Sequence, residues 1–100
     1  MKVIITTRRC KVPGPIRERA KMLIERAAKK ASRPYRAEII FQEDHRRSVV
    51  ELHLFLPRGK VNVCTAEADD FRSALDRAMD KLNNQLDKAR DAPHRGASAS

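Results

Sequence analysis

The chain is poor in the residues that small catalytic and metal-binding sites use. It has three glycines and no glycine-rich loop, which excludes the usual phosphate-binding turns of nucleotide-dependent proteins. His45, His53 and His94 show no His-x-x-x-His spacing, and Cys10 and Cys64 form no Cys-x-x-Cys pair. We therefore expect no metal, no cofactor, no small-molecule substrate and no enzymatic activity. Both cysteines are expected to be reduced thiols.

Large apolar features are scarce as well. The chain has four aromatic residues and no tryptophan, and no run approaches the roughly 18 apolar residues of a membrane-spanning helix. The N-terminal residues lack the long apolar stretch and the small-residue cleavage site of a secretory signal. A length of 100 residues with 41% apolar content supports one domain with one modest core. We expect a cytoplasmic protein with no membrane partner.

Positive charge, in contrast, is abundant. The chain carries 22 Lys and Arg against 13 Asp and Glu, which gives a formal net charge of +9. Such a balance repels other copies of the chain and attracts polyanions, so we expect a monomer whose partner is a nucleic acid. Excess charge that serves only solubility is the plainer alternative.

Hydrophobic periodicity predicts six elements in the order β-α-β-β-β-α. Strands are expected over residues 2–9, 36–43, 48–56 and 61–68, and helices over residues 16–32 and 69–90. Short polar loops predict an antiparallel meander for the last three strands, and the first helix is long enough for a right-handed parallel crossover. Each helix has a single apolar stripe. The expected fold is therefore α+β, a four-stranded mixed sheet with two helices packed on one face.

Alternation within the strands predicts which side chains face the helices. The last strand places Val61, Val63 and Thr65 together on one face, which we interpret as its apolar face. The opposite face of the sheet is expected to be partly wet, with Glu38, Gln42, Glu51, His53 and Asn62. It also carries Ile40, Val49 and Phe55, which are either scattered surface residues or a weak partner patch. Residues 1–91 are expected to form the domain, and residues 92–100, built from small and helix-breaking residues, a disordered tail.

The last helix sorts its side chains into three lengthwise stripes, at about 100° per residue. The core stripe contains Phe71, Leu75, Ala78, Met79, Leu82 and Leu86. One flank carries Asp76, Asp80 and Asp87, and the other carries Arg77, Lys81 and Lys88 with Asn84 and Gln85. A solvated helix commonly mixes its charges into i,i+4 pairs, so a separate cationic stripe indicates a surface that binds an anion. A solvated basic face is the alternative.

Two further basic clusters accompany this stripe. On the first helix, Arg19, Arg26 and Lys30 lie on one flank of the apolar face, so two helices side by side would present two cationic rows with a groove between them. Arg8, Arg9 and Lys11 form a further cluster at the end of the first strand. Protection of an edge strand by positive charge explains these residues about as well as RNA contact does. The basic residues of the hairpin loops are typical of solubility.

The chain resembles the bacterial ribosome hibernation factors, the family of hibernation-promoting factor, ribosome-associated inhibitor and sigma-54 modulation protein. The resemblance rests on the run from Ala66 to Asp76, on Asp80-Lys81-Leu82 and on the run from Gln85 to Arg90, with Pro15-Ile16-Arg17 at the expected start of the first helix. Departures are Phe71 for the usual Tyr, Leu75 for Ile, and Leu23 where relatives often carry Lys or Arg. By length the chain is expected to be of the short form.

The resemblance implies binding to the small ribosomal subunit within the whole ribosome, in the decoding region. The protein would there block messenger RNA and transfer RNA and favour inactive ribosome dimers. Candidate RNA-binding residues are Arg77, Lys81, Gln85, Lys88 and Arg90 on the last helix, Arg19, Arg26 and Lys30 on the first, and Arg8 and Arg9. Two alternatives stay open: a double-stranded RNA binding module, which would bind naked duplex, and an interaction protein that uses the exposed sheet face.

Overall fold

The structure, a computed structural model, describes the backbone of residues 1–99 and the side chains of residues 1–89. Its elements are β1 (Lys2–Arg8), α1 (Gly14–Ala28), β2 (Arg36–Asp44), β3 (Arg47–Leu56), β4 (Lys60–Ala68) and α2 (Phe71–Ala99). The predicted order and fold class are confirmed. The predicted boundary at residue 91 and the predicted disorder of residues 92–100 concern a segment whose side chains lie outside the described residues, and both stay predictions.

The four strands form one sheet in the order β1-β2-β3-β4. β1 is parallel to β2, and the other neighbours are antiparallel, as the crossover and the short loops predict. The loop between β2 and β3 consists of His45 and Arg46, which have φ values of 50° and 64°. Two successive residues in the left-handed region make a turn whose twist matches that of the strands it joins. β1 and β4 are the two edges of the sheet.

Both helices pack on the same face of the sheet, where they close the hydrophobic core. Ile24 of α1, Phe41 and Leu52 of the sheet, and Leu75 and Leu82 of α2 are all fully buried there. Each of these larger side chains stabilises the fold by about 1.5 to 3 kcal/mol when it leaves water. Because both helices follow strands that run in the same direction, α1 and α2 lie parallel to one another, and α2 runs antiparallel to β4.

The prediction that α1 extends to residue 32 is wrong. The amides of Lys30 and Ala31 donate to carbonyls only three residues back, each at 3.0 Å, so the chain tightens after Ala28. Arg33 then adopts φ 55°, in the left-handed region that a helix cannot contain. The turn, rather than the proline at position 34, therefore ends the helix.

An aspartate caps the start of α2. The carboxylate of Asp70 accepts hydrogen bonds from the Ser73 amide at 2.7 Å and from the Ser73 hydroxyl at 3.0 Å. These bonds, the amide bond first, lower the pKa of Asp70 because they favour its charged form. Phe71, in the first turn, packs edge-on against Phe41 with 5.6 Å between ring centroids. Cap and aromatic contact together fix where α2 begins relative to the sheet.

The predicted face of β4 is wrong. Val61 and Val63 are each 43% exposed on the open face of the sheet, where they pair with Phe55 and His53 of β3. The helix side of β4 instead presents the small residues Cys64, Ala66 and Ala68, all buried, so Asn62 also belongs to the helix side. Small side chains let the backbone of α2 approach the strand closely. The small residues of β4 therefore face the helices, although the valines are more hydrophobic.

Candidate nucleic-acid interface

One side of α2 lies along the free edge of β4 and donates hydrogen bonds to it. We call Arg77, Lys81, Gln85 and Lys88 the α2 row. Arg77 Nη1 donates to the carbonyl oxygen of residue 67 at 3.0 Å, and Lys81 Nζ to that of residue 65 at 2.7 Å. Gln85 Nε2 donates to the carbonyl of residue 63 at 3.3 Å. Three of the candidate RNA-binding residues therefore have partners within the protein.

The spacing of helix and strand explains why these three bonds repeat. Four residues of an α-helix rise about 6 Å, and two residues of a strand rise about 6.7 Å. Each step from Arg77 to Lys81 to Gln85 thus keeps pace with a step of two residues along β4. An edge strand leaves such carbonyls without a strand partner, and proteins commonly cover them. The α2 row satisfies the outward carbonyls of β4.

These bonds order the cations without neutralising them. A carbonyl carries no net charge. Arg77 uses one of its five N–H donors, and Lys81 uses one of its three. Arg77, Lys81 and Lys88 are all exposed to solvent. The α2 row therefore presents fixed positive charges with unused donors, which is the arrangement that recognises phosphate at the lowest cost in side-chain entropy.

The basic residues of α1 are arranged differently. We call Arg19 and Arg26 of α1, together with Lys30 in the turn that follows it, the α1 row. Arg19 makes two bonds to the carboxylate of Asp76, at 3.0 and 3.2 Å, and Lys30 Nζ lies 3.2 Å from Asp87. The bond to Asp76, together with its charge, raises the pKa of Arg19. Two of the three cations of the α1 row thus have their charge balanced, whereas Arg26 is exposed and has no acidic partner within residues 1–89.

The predicted groove between two cationic rows is therefore wrong. The line where α1 meets α2 is occupied by the pairs Arg19–Asp76 and Lys30–Asp87, and the α2 row faces away from α1 toward β4. A signal of this pairing is present in the sequence. Arg19 and Lys30 are as far apart in the sequence as Asp76 and Asp87, by about three helical turns. Because the helices are parallel and the turn after α1 keeps a helix-like path, both pairs come into contact at once.

At the opposite edge of the sheet, Arg8 and Arg9 are exposed and line a cleft of about 390 Å³. The cleft is shared with Glu43 and Asp44, whose carboxylates lower the positive potential there. Arg9 has φ 56°, which turns the chain out of β1. The structure thus separates these two residues from the α2 row, and the side chain of Arg90 lies outside those described.

The open face of the sheet shows no exposed patch made of Ile40, Val49 and Phe55. Ile40 is 8% and Val49 7% exposed, and Phe55 is half-buried with the Arg36 guanidinium 5.6 Å from its ring centroid. Neighbouring polar pairs, Arg36 with Glu38 and His53 with Glu51, line the same face. Ile40, Val49 and Phe55 therefore add little exposed apolar surface to this face, whose exposed apolar side chains include Val61 and Val63 instead.

Within the part of the chain that the structure describes, no group of three or more His, Cys, Asp or Glu side chains has the arrangement that a metal site needs. Cys10 and Cys64 are free thiols, and burial raises the pKa of the Cys64 thiol, which keeps it unreactive. Over the same residues, no helix combines the length and the apolar character of a membrane span.

Comparisons with known proteins agree with the fold. The family model described as sigma 54 modulation protein / S30EA ribosomal protein matches residues 3–92. The chain is similar to a ribosomal subunit interface protein from Coxiella burnetii, at 25% identity and a TM-score of 0.73, over 91% of this chain and 99% of that one. It shares the fold of the Protein Y N-terminal domain from Thermus thermophilus, at 22% identity and a TM-score of 0.73, over 86% and 96% of the two chains. No curated protein matches significantly.

Proposed function

Because the chain belongs to the sigma 54 modulation protein / S30EA ribosomal protein family, we propose that it binds the ribosome and holds it inactive. The family is one of ribosome-associated proteins and not of enzymes. The proposed site is the decoding region of the small subunit, where the protein excludes messenger RNA and transfer RNA. The proposed outcome is a ribosome reserve in the cytoplasm, formed in stationary phase or stress, in which ribosomes pair into dimers.

The α2 row is the observation that carries this proposal. Ribosomal RNA presents phosphates at fixed positions, and Arg77 and Lys81 present cations that carbonyl bonds hold at fixed positions. Lys88 extends the same side of the helix. Because the net charge is +9, the whole chain also favours approach to a polyanion. Contact with phosphate needs no base sequence, which suits binding to folded RNA by shape.

The proposed mechanism is steric. A domain that fills the path of messenger RNA needs only affinity and volume, so no bond is formed or broken. The two helices pack together on one face of the sheet, and the partly exposed pairs Arg19–Asp76 and Lys30–Asp87 connect them. A packed domain of this kind occludes a channel by its volume. In the free state we propose a monomer.

Co-sedimentation tests the proposal. The purified protein is centrifuged through sucrose with vacant ribosomes and with each separated subunit, over a salt series, and free duplex RNA is added as competitor. The proposal expects saturable binding to the small subunit and to whole ribosomes that duplex RNA does not displace. It further expects messenger RNA and initiator transfer RNA to compete. Displacement by duplex RNA would instead indicate a general RNA-binding module.

A further inference from the structure

The end of the domain far from the α2 N-terminus contains a cationic groove, which shares Lys30 with the α1 row. Three segments meet there: the turn after α1, the hairpin between β3 and β4, and the last described turns of α2. The groove has a volume of about 790 Å³ and is lined, among others, by Lys30, Arg33, Leu56, Arg58, Lys60 and Leu86. Its size lies within the range of about 300 to 1,000 Å³ that small-ligand sites occupy.

The charges of this groove are largely uncompensated. Arg33, Arg58 and Lys60 are exposed, and none of them pairs with a carboxylate among the side chains described, residues 1–89. Lys30 is balanced by Asp87 at 3.2 Å. Three like charges around one opening repel one another in the free protein, and an anion within the groove would relieve that repulsion.

The backbone holds two of the arginines in an uncommon conformation. Arg33 has φ 55° and Arg58 has φ 67°, both in the left-handed region, which residues other than glycine rarely adopt. Gly59, beside Arg58, has φ 73° and completes the hairpin turn. Both residues line the groove, and conformations of this kind are found at ligand sites as well as in tight turns.

The lining between the cations is mixed. Leu56, Ala31 and Pro57 contribute apolar surface, and Ser32 and Asn62 contribute polar groups. Apolar surface beside cations matches a nucleotide, whose base or ribose contacts the apolar side chains while its phosphates meet the cations. Lys30 belongs both to the α1 row and to the groove, so the groove adjoins that row.

We propose that this end groove binds consecutive phosphates of a single RNA strand, through Arg33, Arg58 and Lys60, with one nucleotide seated against the apolar side chains. The inference rests on the proposed RNA-binding function and adds a second contact, separate from the α2 row. Within a ribosome, the strand would be an unpaired segment of ribosomal RNA beside the main site.

The test compares two double variants of equal charge. The groove variant carries Arg33→Asn and Arg58→Asn, because asparagine tolerates the left-handed region and leaves the turns intact. The control carries Arg46→Asn and Lys21→Gln, which remove one left-handed arginine and one helix cation outside the groove and both rows. Thermal melting confirms that both variants are folded. Each is titrated with a short oligouridylate over a salt series, followed by amide chemical shifts.

The groove proposal expects the wild-type amides of Arg33, Gly59 and Lys60 to shift on titration with oligouridylate. For the groove variant it expects a loss of about 1.4 in the salt slope and about 25-fold in affinity at 0.1 M salt, since each single-strand phosphate contact contributes about 0.7 to the slope. The control should keep the wild-type values. Equal slopes in the two variants would overturn the proposal, and so would amide shifts with uridine triphosphate or inorganic phosphate but none with oligouridylate.

The two proposals fail separately in this design. If the wild-type protein does not sediment with ribosomes, the proposed function is wrong, whereas the amide shifts at Gly59 still decide whether the groove takes an RNA strand. If the wild type sediments and the groove variant matches the control in both assays, the groove assignment alone is wrong.

Discussion

The two flanks of α2 use their charges in opposite ways. On the acidic flank, Asp76 forms an ion pair with Arg19 of α1 at 3.0 Å. On the basic flank, Lys81 donates to a neutral carbonyl of β4 at 2.7 Å. An ion pair holds two side chains and cancels their charge, whereas a carbonyl bond holds a cation and leaves its charge to act on a ligand. The α2 row is therefore both a structural element and a charged surface.

The largest expected effect separates these two roles. Replacing Arg77 and Lys81 by Gln removes both charges but keeps a donor, as Gln85 demonstrates one step further along the row. We expect ribosome affinity at 0.1 M salt to fall roughly 60-fold, because each phosphate contact to a duplex contributes a factor of about eight there. The melting temperature should change little. Co-sedimentation measures the affinity, and thermal denaturation measures the stability. Unchanged affinity would show that the α2 row is not part of the ribosome-binding site.

Removing the donors tests the structural role. With Arg77, Lys81 and Gln85 replaced by Met, three carbonyls of the β4 edge lose their partners, and the free energy of unfolding should fall by about 1.5 kcal/mol at about 0.5 per exposed bond. The uncovered edge should also associate with a second copy. Analytical ultracentrifugation measures association, with Lys21, Arg26 and Asn84 replaced by Met as the control for added apolar surface. A monomeric triple variant would show that the row does not protect the edge.

The ion pairs between the helices should affect affinity less. Replacing Arg19 and Lys30 by Gln removes cations whose charge Asp76 and Asp87 already balance, so we expect less than about a fivefold loss of ribosome affinity at 0.1 M salt. Stability should fall modestly at low salt, and the difference from wild type should disappear at about 1 M salt because exposed pairs are screened. Chemical denaturation at both salt concentrations measures this. A loss of affinity equal to that of the α2 pair would contradict the comparison.

The smallest expected effect concerns the cap that sets the register of the α2 row. The pKa of Asp70 is lower in the folded protein than its ordinary value of 3.8. Its charged form therefore contributes stability that is fully present above that value and is lost as the pH falls through the lower, folded pKa. Replacement by Asn keeps an acceptor without a charge. The melting temperature of this variant should therefore fall less steeply with pH below about pH 4 than that of the wild type. Identical acid profiles for the two proteins would refute the assignment.

The sequence predicts an element and its face correctly where a single hydrophobic pattern is present, and less well where two patterns compete. Each helix has one apolar stripe and each hairpin a short polar loop, so the element order and topology follow. In β4 two patterns compete, Val61 and Val63 against Cys64 and Ala66, and only the closeness of α2 resolves them. The stripes of α2 are correctly placed in sequence, but their partners are not visible there. Arg58 falls in a loop, and its position beside Arg33 results from the tertiary fold.

We propose that carbonyl-anchored cations, rather than ion-paired ones, provide the affinity for the ribosome. The most direct measurement is the salt dependence of ribosome binding between about 50 and 200 mM salt, for three proteins side by side. These are the wild type, Arg77→Gln with Lys81→Gln, and Arg19→Gln with Lys30→Gln. The account predicts that the α2 pair loses about 1.8 from the slope, at about 0.9 per contact, while the α1 pair loses less than about 0.5. Equal losses in the two variants, or a larger loss for the α1 pair, would contradict it.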